Sequence, residues 1–222
     1  MARMPRLVVP GYPHHVTQRG ARRMQTFFSD DDYQYYLDLV SEFKGDAGVE
    51  VWAYCLMPNH VHFVVVPEQG DSLSRLFKEV HRRYTRYINF RASWKGHLWQ
   101  ERFHSFVMSE QYLLATVRYV ELNPVKAKLC YYAEEWQWSS AGAHIIGCDD
   151  SIVSVEPMLG RITNWRDYLS QGDSEIDQTT IRQCLRTGRP AGDIGFVERL
   201  EVLAGRCLVR KKPGPKAKMG IK

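Results

Sequence analysis

The sequence predicts an α+β fold: a ferredoxin-like β-α-β-β-α-β unit with four antiparallel strands and two helices on one face of the sheet. Two stretches with helical periodicity, 30–43 and 73–91, alternate with short β-prone runs. The two middle runs are separated only by residues 57–59, which is short enough for a hairpin between adjacent strands. All of these elements fall within residues 1–127 of the 222-residue chain.

The first half of this unit is a strand, a helix and a second strand. Residues 15–19 alternate in character and are β-prone, and Gly20 ends the strand. Ser29 or Asp30 can cap the following helix. Residues 49–56 form the second β-prone run. Between the strands, apolar residues recur at intervals of three and four, at Tyr33, Tyr36, Leu37, Val40 and Phe43.

The second half repeats the strand–helix–strand order and adds one helix. Pro58 interrupts the second strand and Pro67 ends the third, because proline cannot donate a ladder hydrogen bond. Ser72 and Ser109 can cap the two helices. The predicted bounds are 60–66 for the third strand, 73–91 for the second helix, 103–108 for the fourth strand, and a helix from 110 that ends near Pro124.

The chain changes character after about residue 130, where tryptophans stand among Gly, Asp and Ser. We divide it into a domain of residues 1–127 and a C-terminal extension of residues 128–222, with helical stretches over 178–185 and 195–203. From residue 206 onward there are seven Lys or Arg and no acid. We expect this tail, 206–222, to be disordered, and either to aid solubility or to bind phosphates without sequence specificity.

Composition excludes several classes of protein. No stretch approaches the roughly 20 apolar residues of a membrane span, and the N-terminus lacks the apolar core of a secretory signal. Five scattered cysteines without a CxxC pair disfavour a disulfide framework or a cysteine zinc site, so we expect a cytoplasmic protein. The net charge of +5 is too small to identify a partner.

Two histidines share one face of the predicted third strand. His60 and His62 are two positions apart, so their side chains point the same way, while Val61 points into the core. Imidazoles whose Cα atoms are about 7 Å apart can hold one divalent ion between them. An HxH pair is a weak signal by itself, and two solvent-facing histidines on a half-exposed sheet are the alternative.

The last helix of the domain carries a polar stripe beside its apolar face. At about 100° per residue, Leu113, Val117 and Val120 fall on the buried side. A phenol on such a stripe can attack phosphorus, and an amide oxygen one turn away can ligate a metal. On spacing alone, a half-buried tyrosine and a helix-terminal asparagine are the favoured interpretation. The stripe consists of Tyr112, Thr116, Tyr119 and Asn123.

The second helix has one basic edge. Glu79 is its only nearby acid, which favours contact with a phosphate backbone over an ordinary solvated face. Further cations follow the first strand, and another lies in the loop before the fourth strand. The predicted DNA-binding residues are Arg19, Arg22, Arg23, Arg75, Lys78, Arg82, Arg86 and Arg102.

Together these residues resemble the single-tyrosine HUH transposases, in particular their REP-associated branch. Residues 57–63, MPNHVHF, are similar to that family's MPNHxH signature, and residues 118–127, RYVELNPVKA, are similar to its tyrosine helix RYIxxNPVRA. Residues 15–20 resemble the family's first strand, and residues 186–190 and 196–198 resemble the extension of the REP-associated branch. The resemblance is strong over residues 5–140 and looser beyond.

The resemblance implies an HUH endonuclease fold and a role for each residue at the site. Tyr119 would attack the scissile phosphate and form a 5′-phosphotyrosine beside a free 3′-hydroxyl. His60, His62 and Asn123 would hold Mg²⁺ or Mn²⁺, which would polarise a non-bridging phosphate oxygen. Lys126 stands where the family commonly has arginine, and either residue supplies a cation.

The resemblance also implies the substrate, which would be single-stranded DNA carrying an imperfect hairpin beside a short unpaired guide. Trp94 or Trp99 could stack on unpaired bases, and Arg102 and His104 would lie near the site. We expect a cytoplasmic, nucleoid-associated enzyme that acts as a monomer, with a homodimer as the alternative.

Three other functions are compatible with parts of this pattern. A domesticated relative would bind hairpin DNA without cutting it, although the set of Tyr119, His60, His62 and Asn123 argues against this. A replication initiator or relaxase would carry its tyrosine in another sequence context. A metal-dependent nuclease would use water as the nucleophile and would not need Tyr119.

Overall fold

The computed structural model describes residues 6–208, apart from the side chains of residues 175 and 176. Most of the predicted basic tail, 206–222, lies outside the described residues. The strands and helices are, in chain order, β1 (His14–Arg19), α1 (Asp30–Ala47), β2 (Val49–Met57), β3 (His60–Pro67), α2 (Ser72–Arg91), β4 (His104–Val107), α3 (Glu110–Glu121), α4 (Asn123–Lys126), α5 (Ala141–Ile146), α6 (Glu156–Leu159), α7 (Trp165–Ser170), α8 (Glu175–Thr187) and α9 (Ile194–Ala204).

The four strands form one antiparallel sheet in the order β2-β3-β1-β4. This is the spatial order of the ferredoxin-like arrangement, so the predicted fold class is confirmed. Each predicted strand is present, with ends that differ by at most one residue. In the described part of the chain, no helix has the length and apolar composition needed to cross a membrane.

Helices α1 and α2 cover one face of the sheet. Val61, Phe63 and Val65 of β3 point into this layer, as the alternation of β3 predicts, and all three are fully buried. The two helices are also joined where α1 begins. The carboxylate of Asp32 accepts hydrogen bonds from the backbone of Phe28 and from Arg91 near the end of α2.

Helix α3 and the C-terminal residues cover the opposite face. Val64 and Phe106 of the sheet pack there against Leu113, Val117 and Val120 of α3. These three α3 residues are fully buried, as the helical wheel predicts. The helix ends at Glu121, and after Leu122 the short helix α4 begins with Asn123 and Pro124.

The residues after 127 also close both edges of the sheet. On β2, the backbone of Leu56 donates to the carbonyl of Trp138, and Val51 forms a bridge with Val153. On β4, Ala191 donates to Val107 and bridges Met108. Both edge strands are therefore partly paired within the chain. Paired edges are less open to association with another strand.

Two predicted details need correction. Ser72 is not the N-cap of α2. It is the first helical residue, Asp71 occupies the cap, and the Ser72 hydroxyl accepts a hydrogen bond from the backbone of Gln69. Trp99 is not available to stack on bases, because it is buried against Phe27 and His81.

Buried histidines predict that stability depends on pH. Burial lowers the pKa of His14 to about 4 and the pKa values of His15 and His81 to about 3. In the unfolded chain these groups titrate near 6.5 and bind protons that the native state excludes. We therefore expect the free energy of unfolding to be fully present above about pH 6.5 and to fall as pH drops toward 4, by up to about 1.4 kcal/mol per pH unit for each group.

Urea unfolding, monitored by tryptophan fluorescence between about pH 6.5 and pH 4, measures how steeply the free energy of unfolding falls with pH. The control is His81→Gln, because glutamine can still bond the Tyr36 hydroxyl that His81 contacts at 2.9 Å but does not titrate. We expect a shallower slope in this variant. A free energy of unfolding that stays constant across the interval would show that the histidines are protonated in the native state.

Candidate active site

The register of the sheet gathers polar side chains on the face that α3 covers. Residues paired across antiparallel strands point to the same side of the sheet, and β1 pairs Thr17 with His62 and Arg19 with His60. His15, two positions before Thr17, lies on this face as well. On the other side of β1, His104 of β4 is paired with Thr17.

The histidines are not the solvent-facing pair of the alternative interpretation. His62 is only 3% exposed and His60 is half-buried. Their ring centroids are 4.8 Å apart. The ring of His62 also stacks on that of His15, with a centroid distance of 5.1 Å. Three imidazoles therefore form a contiguous cluster beneath α3.

Hydrogen bonds hold both HxH imidazoles by their Nδ1 atoms. The Nδ1 of His60 donates to Oδ1 of Asn59 at 2.6 Å, and Asn59 is held in turn through its donation to the carbonyl of Arg23. The Nδ1 of His62 lies 2.9 Å from Nε2 of His15. The Nε2 of His62 is buried and has no partner within the described residues. Such an unpartnered buried nitrogen is available to a ligand.

Both imidazoles are uncharged near neutral pH. Burial, and then the positive charge of Arg19, lower the pKa of His60 to about 4. Burial, followed by the neighbouring histidines, holds the pKa of His62 well below its ordinary value. A neutral imidazole keeps a lone pair on one of its two ring nitrogens, and this is the form that binds a metal.

Tyr119 lies directly over this cluster. Its ring centroid is 6.0 Å from that of His62 and 6.2 Å from that of His15. Tyr119 is 8% exposed. Burial raises the pKa of its phenol, and the positive charge of the nearby Arg182 of α8 opposes that rise. The ammonium of Lys126 lies 4.6 Å from the ring centroid.

Asn123 stands one turn after Tyr119. Its amide nitrogen donates to the backbone carbonyl of Tyr119 at 2.8 Å. This bond orients the side chain and leaves the amide oxygen as the atom that can ligate a metal.

Two neutral imidazoles and an amide oxygen are ligand types that a divalent metal accepts. Within residues 6–208, no group of three His, Cys, Asp or Glu is arranged to hold an ion. A site at this position therefore depends on the unpartnered Nε2 of His62, the free Nε2 lone pair of His60 and one neutral oxygen. Neutral nitrogen and oxygen ligands with an open position suit a catalytic ion better than a structural one.

A buried polar network anchors the end of α3 to the C-terminal residues. Glu121, two residues after Tyr119, is fully buried. Its carboxylate accepts hydrogen bonds from Ser140 at 2.6 Å, from His144 at 2.6 Å and from Trp165 at 2.7 Å. Three donors from a segment that follows α4 thus fix the position of the tyrosine helix.

A second anchor is Asp173, in the turn before α8. Its side chain is 2% exposed and pairs with Lys126 and with Arg118, whose Nε lies 3.7 Å from the carboxylate. The tyrosine helix is thereby tied to α8 as well as to α5 and α7.

The basic edge of α2 is more neutralised than the sequence suggests. Arg75 lies 3.4 Å from the carboxylate of Asp71 and also donates to the carbonyl of Ala47. Arg82 donates to Glu79 at 2.6 Å. Besides Glu79, this edge carries a second acid, Asp71, which lies one helical turn before Arg75. Lys78 and Arg86 have no acidic partner within 4.0 Å among the described residues.

The remaining predicted cations lie in several separate places. Arg19 lies at the site, since its charge lowers the pKa of both His60 and His62. Arg22 and Arg102 line one surface depression, and Arg102 with Lys78 and Arg82 lines a cavity of about 540 Å³ floored by Phe77 and Trp99. Arg23 lies in the short turn that holds Asn59.

Three residues at the site were missed by the sequence argument. His15 could have been found from β1, because His15, Thr17 and Arg19 alternate onto one face that must meet the HxH face once the two strands pair. Asp173 and Arg182 carry no local signal. They come from more than 45 residues after Tyr119 and depend on how the C-terminal residues fold back.

Comparison with known proteins gives three related findings. The family model described as "Transposase IS200 like" matches residues 9–123, just over half of the chain. A REP-associated tyrosine transposase of Escherichia coli K12 is 25% identical over 109 residues, which are 49% of this chain and 64% of that protein. The chain thus spans less than two-thirds of that relative's length.

A solved structure, described as a REP-associated tyrosine transposase bound to a REP hairpin, matches with a TM-score of 0.57. The match covers 69% of this chain and 92% of that one at 22% sequence identity. At this identity the likeness concerns the fold, and it supports the ferredoxin-like assignment.

Loss of the Glu121 carboxylate should destabilise the protein strongly. Glu121→Ala removes the acceptor of three buried donors, of which Ser140 alone keeps a second one, the carbonyl of Tyr54 at 3.3 Å, so we expect a loss of about 3 kcal/mol or more in the free energy of unfolding. Glu110→Ala is the matched control on the same helix, because Glu110 is 65% exposed and pairs with Arg161 at the surface. The control should lose less than about 1 kcal/mol. Equal losses in urea unfolding would contradict an anchoring role for Glu121.

Proposed function

The chain belongs to the IS200-like transposase family, and from this premise we propose that it cleaves and rejoins single-stranded DNA at hairpin sequences with Tyr119 as the nucleophile. The observation that carries the proposal is the contact of Tyr119 with two neutral imidazoles, His62 and His15, beside His60. A buried tyrosine in this position has no evident structural need for a histidine cluster beneath it.

The proposed reaction is an exchange of phosphoester bonds. The phenolic oxygen of Tyr119 forms a bond to phosphorus, and the bond from phosphorus to the 3′-oxygen breaks. The 3′-oxygen leaves with the electron pair. The phenol loses one proton to water and the 3′-oxygen gains one from water, so the products are a 5′-phosphotyrosine and a 3′-hydroxyl. The reverse reaction rejoins the strand without an external energy source.

His60, His62 and Asn123 are the residues that would hold Mg²⁺ or Mn²⁺. When bound, such an ion supplies positive charge at a non-bridging phosphate oxygen. The protein's own part is to present two uncharged imidazoles in fixed orientations. Asn59 holds the ring of His60, and His15 holds the ring of His62.

We propose hairpin-bearing DNA as the substrate. Support comes from the similarity to a transposase described as bound to a REP hairpin, from the charge of Arg19 beside the histidines, and from Lys78, Arg82 and Arg102 around one cavity. Trp94 is 45% exposed and packs edge-on against Phe28, which is 42% exposed, so this pair can stack on unpaired bases. The proposed phosphate contacts are Arg19, Arg22, Arg23, Arg75, Lys78, Arg82, Arg86 and Arg102.

We further propose that the protein acts as a monomer in the cytoplasm, close to the nucleoid. Both edges of the sheet are partly paired by residues after 127, and the tyrosine lies over the histidines of its own chain. Neither feature needs a second copy.

Tyr119→Phe should abolish the covalent product. Incubation with a single-stranded hairpin oligonucleotide and Mn²⁺ or Mg²⁺, followed by a denaturing gel, should show a protein–DNA adduct for the wild type and none for the variant, since phenylalanine has no nucleophilic oxygen. Tyr112→Phe, seven residues earlier on the same helix face, is the matched control and should form the adduct normally.

Two outcomes would contradict the proposal. Cleavage by Tyr119→Phe at the wild-type rate, with no adduct in either protein, would identify water as the nucleophile. Hairpin binding without cleavage by any of the three proteins would identify a binding protein.

The monomer proposal predicts a single mass. Light scattering of the purified chain should give 25.8 kDa, both alone and, after subtraction of the DNA mass, with a hairpin oligonucleotide. A mass of twice this value in the active fraction would contradict the proposal.

A further inference from the structure

The two imidazoles of the HxH pair differ in the atom that faces their Nδ1. His60 faces Oδ1 of Asn59, and the amide nitrogen of Asn59 donates to the carbonyl of Arg23. An amide oxygen only accepts, so an uncharged His60 carries its proton on Nδ1 and keeps its lone pair on Nε2. His62 instead faces Nε2 of His15, at 2.9 Å. An imidazole nitrogen can donate or accept, so the position of the His62 proton depends on His15.

His15 is enclosed by groups that do not compete for this bond. It is fully buried, and the rings of Phe106 and Tyr119 lie edge-on to it at centroid distances of 5.3 and 6.2 Å. Its Nδ1 has no hydrogen-bond partner within the described residues. Burial lowers the pKa of His15 to about 3 and holds that of His62 well below its ordinary value, so both rings are uncharged near neutral pH. The pair therefore holds two ring protons, one of which lies in the bond between the rings.

Two arrangements of these protons satisfy the bond. In the first, Nδ1 of His62 donates to His15, and Nε2 of His62 is left with a bare lone pair. In the second, Nε2 of His15 donates, and the proton of His62 lies on its own Nε2, which closes that nitrogen to a metal. Each arrangement leaves one buried N–H and one buried lone pair without a partner among the described residues. Only the first is compatible with His62 as a ligand.

We propose that His15 is a positioning residue for metal binding: it accepts the Nδ1 proton of His62 and so keeps Nε2 of His62 free to ligate a divalent ion. The proposal rests on the function proposed above, in which His62 is a ligand. An acceptor on the far nitrogen also holds the ring in place and makes the ligating nitrogen more basic. His15 acts through His62 and does not itself touch the ion.

The affinity of the full chain for Mn²⁺ without DNA, measured from the electron paramagnetic resonance signal of the free ion, tests this role. His15→Leu removes the acceptor and should weaken binding by about 10- to 100-fold. His15→Gln places an amide oxygen near the position of Nε2 and should keep most of the affinity. His14→Leu is the matched control, because His14 is also fully buried but bonds the backbone of Val9 and Tyr12. It should lower stability and leave the affinity unchanged.

A second measurement follows the protons without metal. In protein with ¹⁵N-labelled histidine rings at neutral pH, the resonances of His62 are assigned by their loss in His62→Gln. Protonated and bare ring nitrogens have well separated shifts, so the shift of Nε2 reports how much of the population has this nitrogen bare. In the wild type, Nε2 should be bare in at least part of the population. The His62 shifts should change in His15→Leu and not in His14→Leu.

The outcomes decide between the alternatives. Weak Mn²⁺ binding in His15→Leu, restored in His15→Gln and accompanied by the changed His62 shifts, supports the positioning role. Equal affinity of the wild type and His15→Leu overturns it, as does an equal loss in the leucine and glutamine variants, or a proton that lies wholly on Nε2 of His62. Wild-type binding no tighter than that of His62→Gln also overturns it. Failure to cleave DNA, with these effects on Mn²⁺ binding present, would count against the proposed function alone.

Discussion

The alternation of side chains along two paired strands is the constraint on which the site depends. Because β1 and β3 are antiparallel neighbours in a fixed register, one face of the pair must carry Arg19, Thr17 and His15 opposite the HxH residues. A slip of one residue would turn His60 and His62 toward α1 and α2. The apolar residues Val61, Phe63 and Val65 prevent it, since they would then have to face the polar side. The core packing that fixes the register of the sheet therefore also determines which way the histidines point.

The face of the sheet that carries the histidines is covered by α3, the helix that carries Tyr119. Burial beneath α3 keeps the imidazoles uncharged, because the sheet and the helix exclude the water that would solvate a cation. It also places the phenol of Tyr119 against the rings. The position of α3 is in turn set from outside the βαββαβ unit, through the bonds of Glu121 to Ser140, His144 and Trp165 and of Asp173 to Lys126. The residues after 127 are in this sense part of the site's framework.

The sequence predicts the parts of this structure that local periodicity controls. Strand alternation and helical spacing were sufficient for the order of elements in residues 14–121, for the shared face of the HxH pair and for the buried side of α3. The helices predicted over 178–185 and 195–203 are also confirmed, as α8 and α9. Features that depend on distant segments were not accessible. His15 becomes part of the site only once the strand order is known, Trp99 is buried by Phe27 and His81, and Arg182 comes near Tyr119 only through packing of α8.

The identity of the nucleophile is the central claim, and mapping the covalent bond tests it most directly. Trypsin cleavage after Arg118 and Lys126 would release residues 119–126, YVELNPVK, in which Tyr119 is the only side chain with a hydroxyl. After reaction with a hairpin oligonucleotide and nuclease trimming, mass spectrometry should find the nucleotide on this peptide and on no other. A nucleotide attached to a different peptide, or cleaved DNA with no modified peptide, would contradict the account.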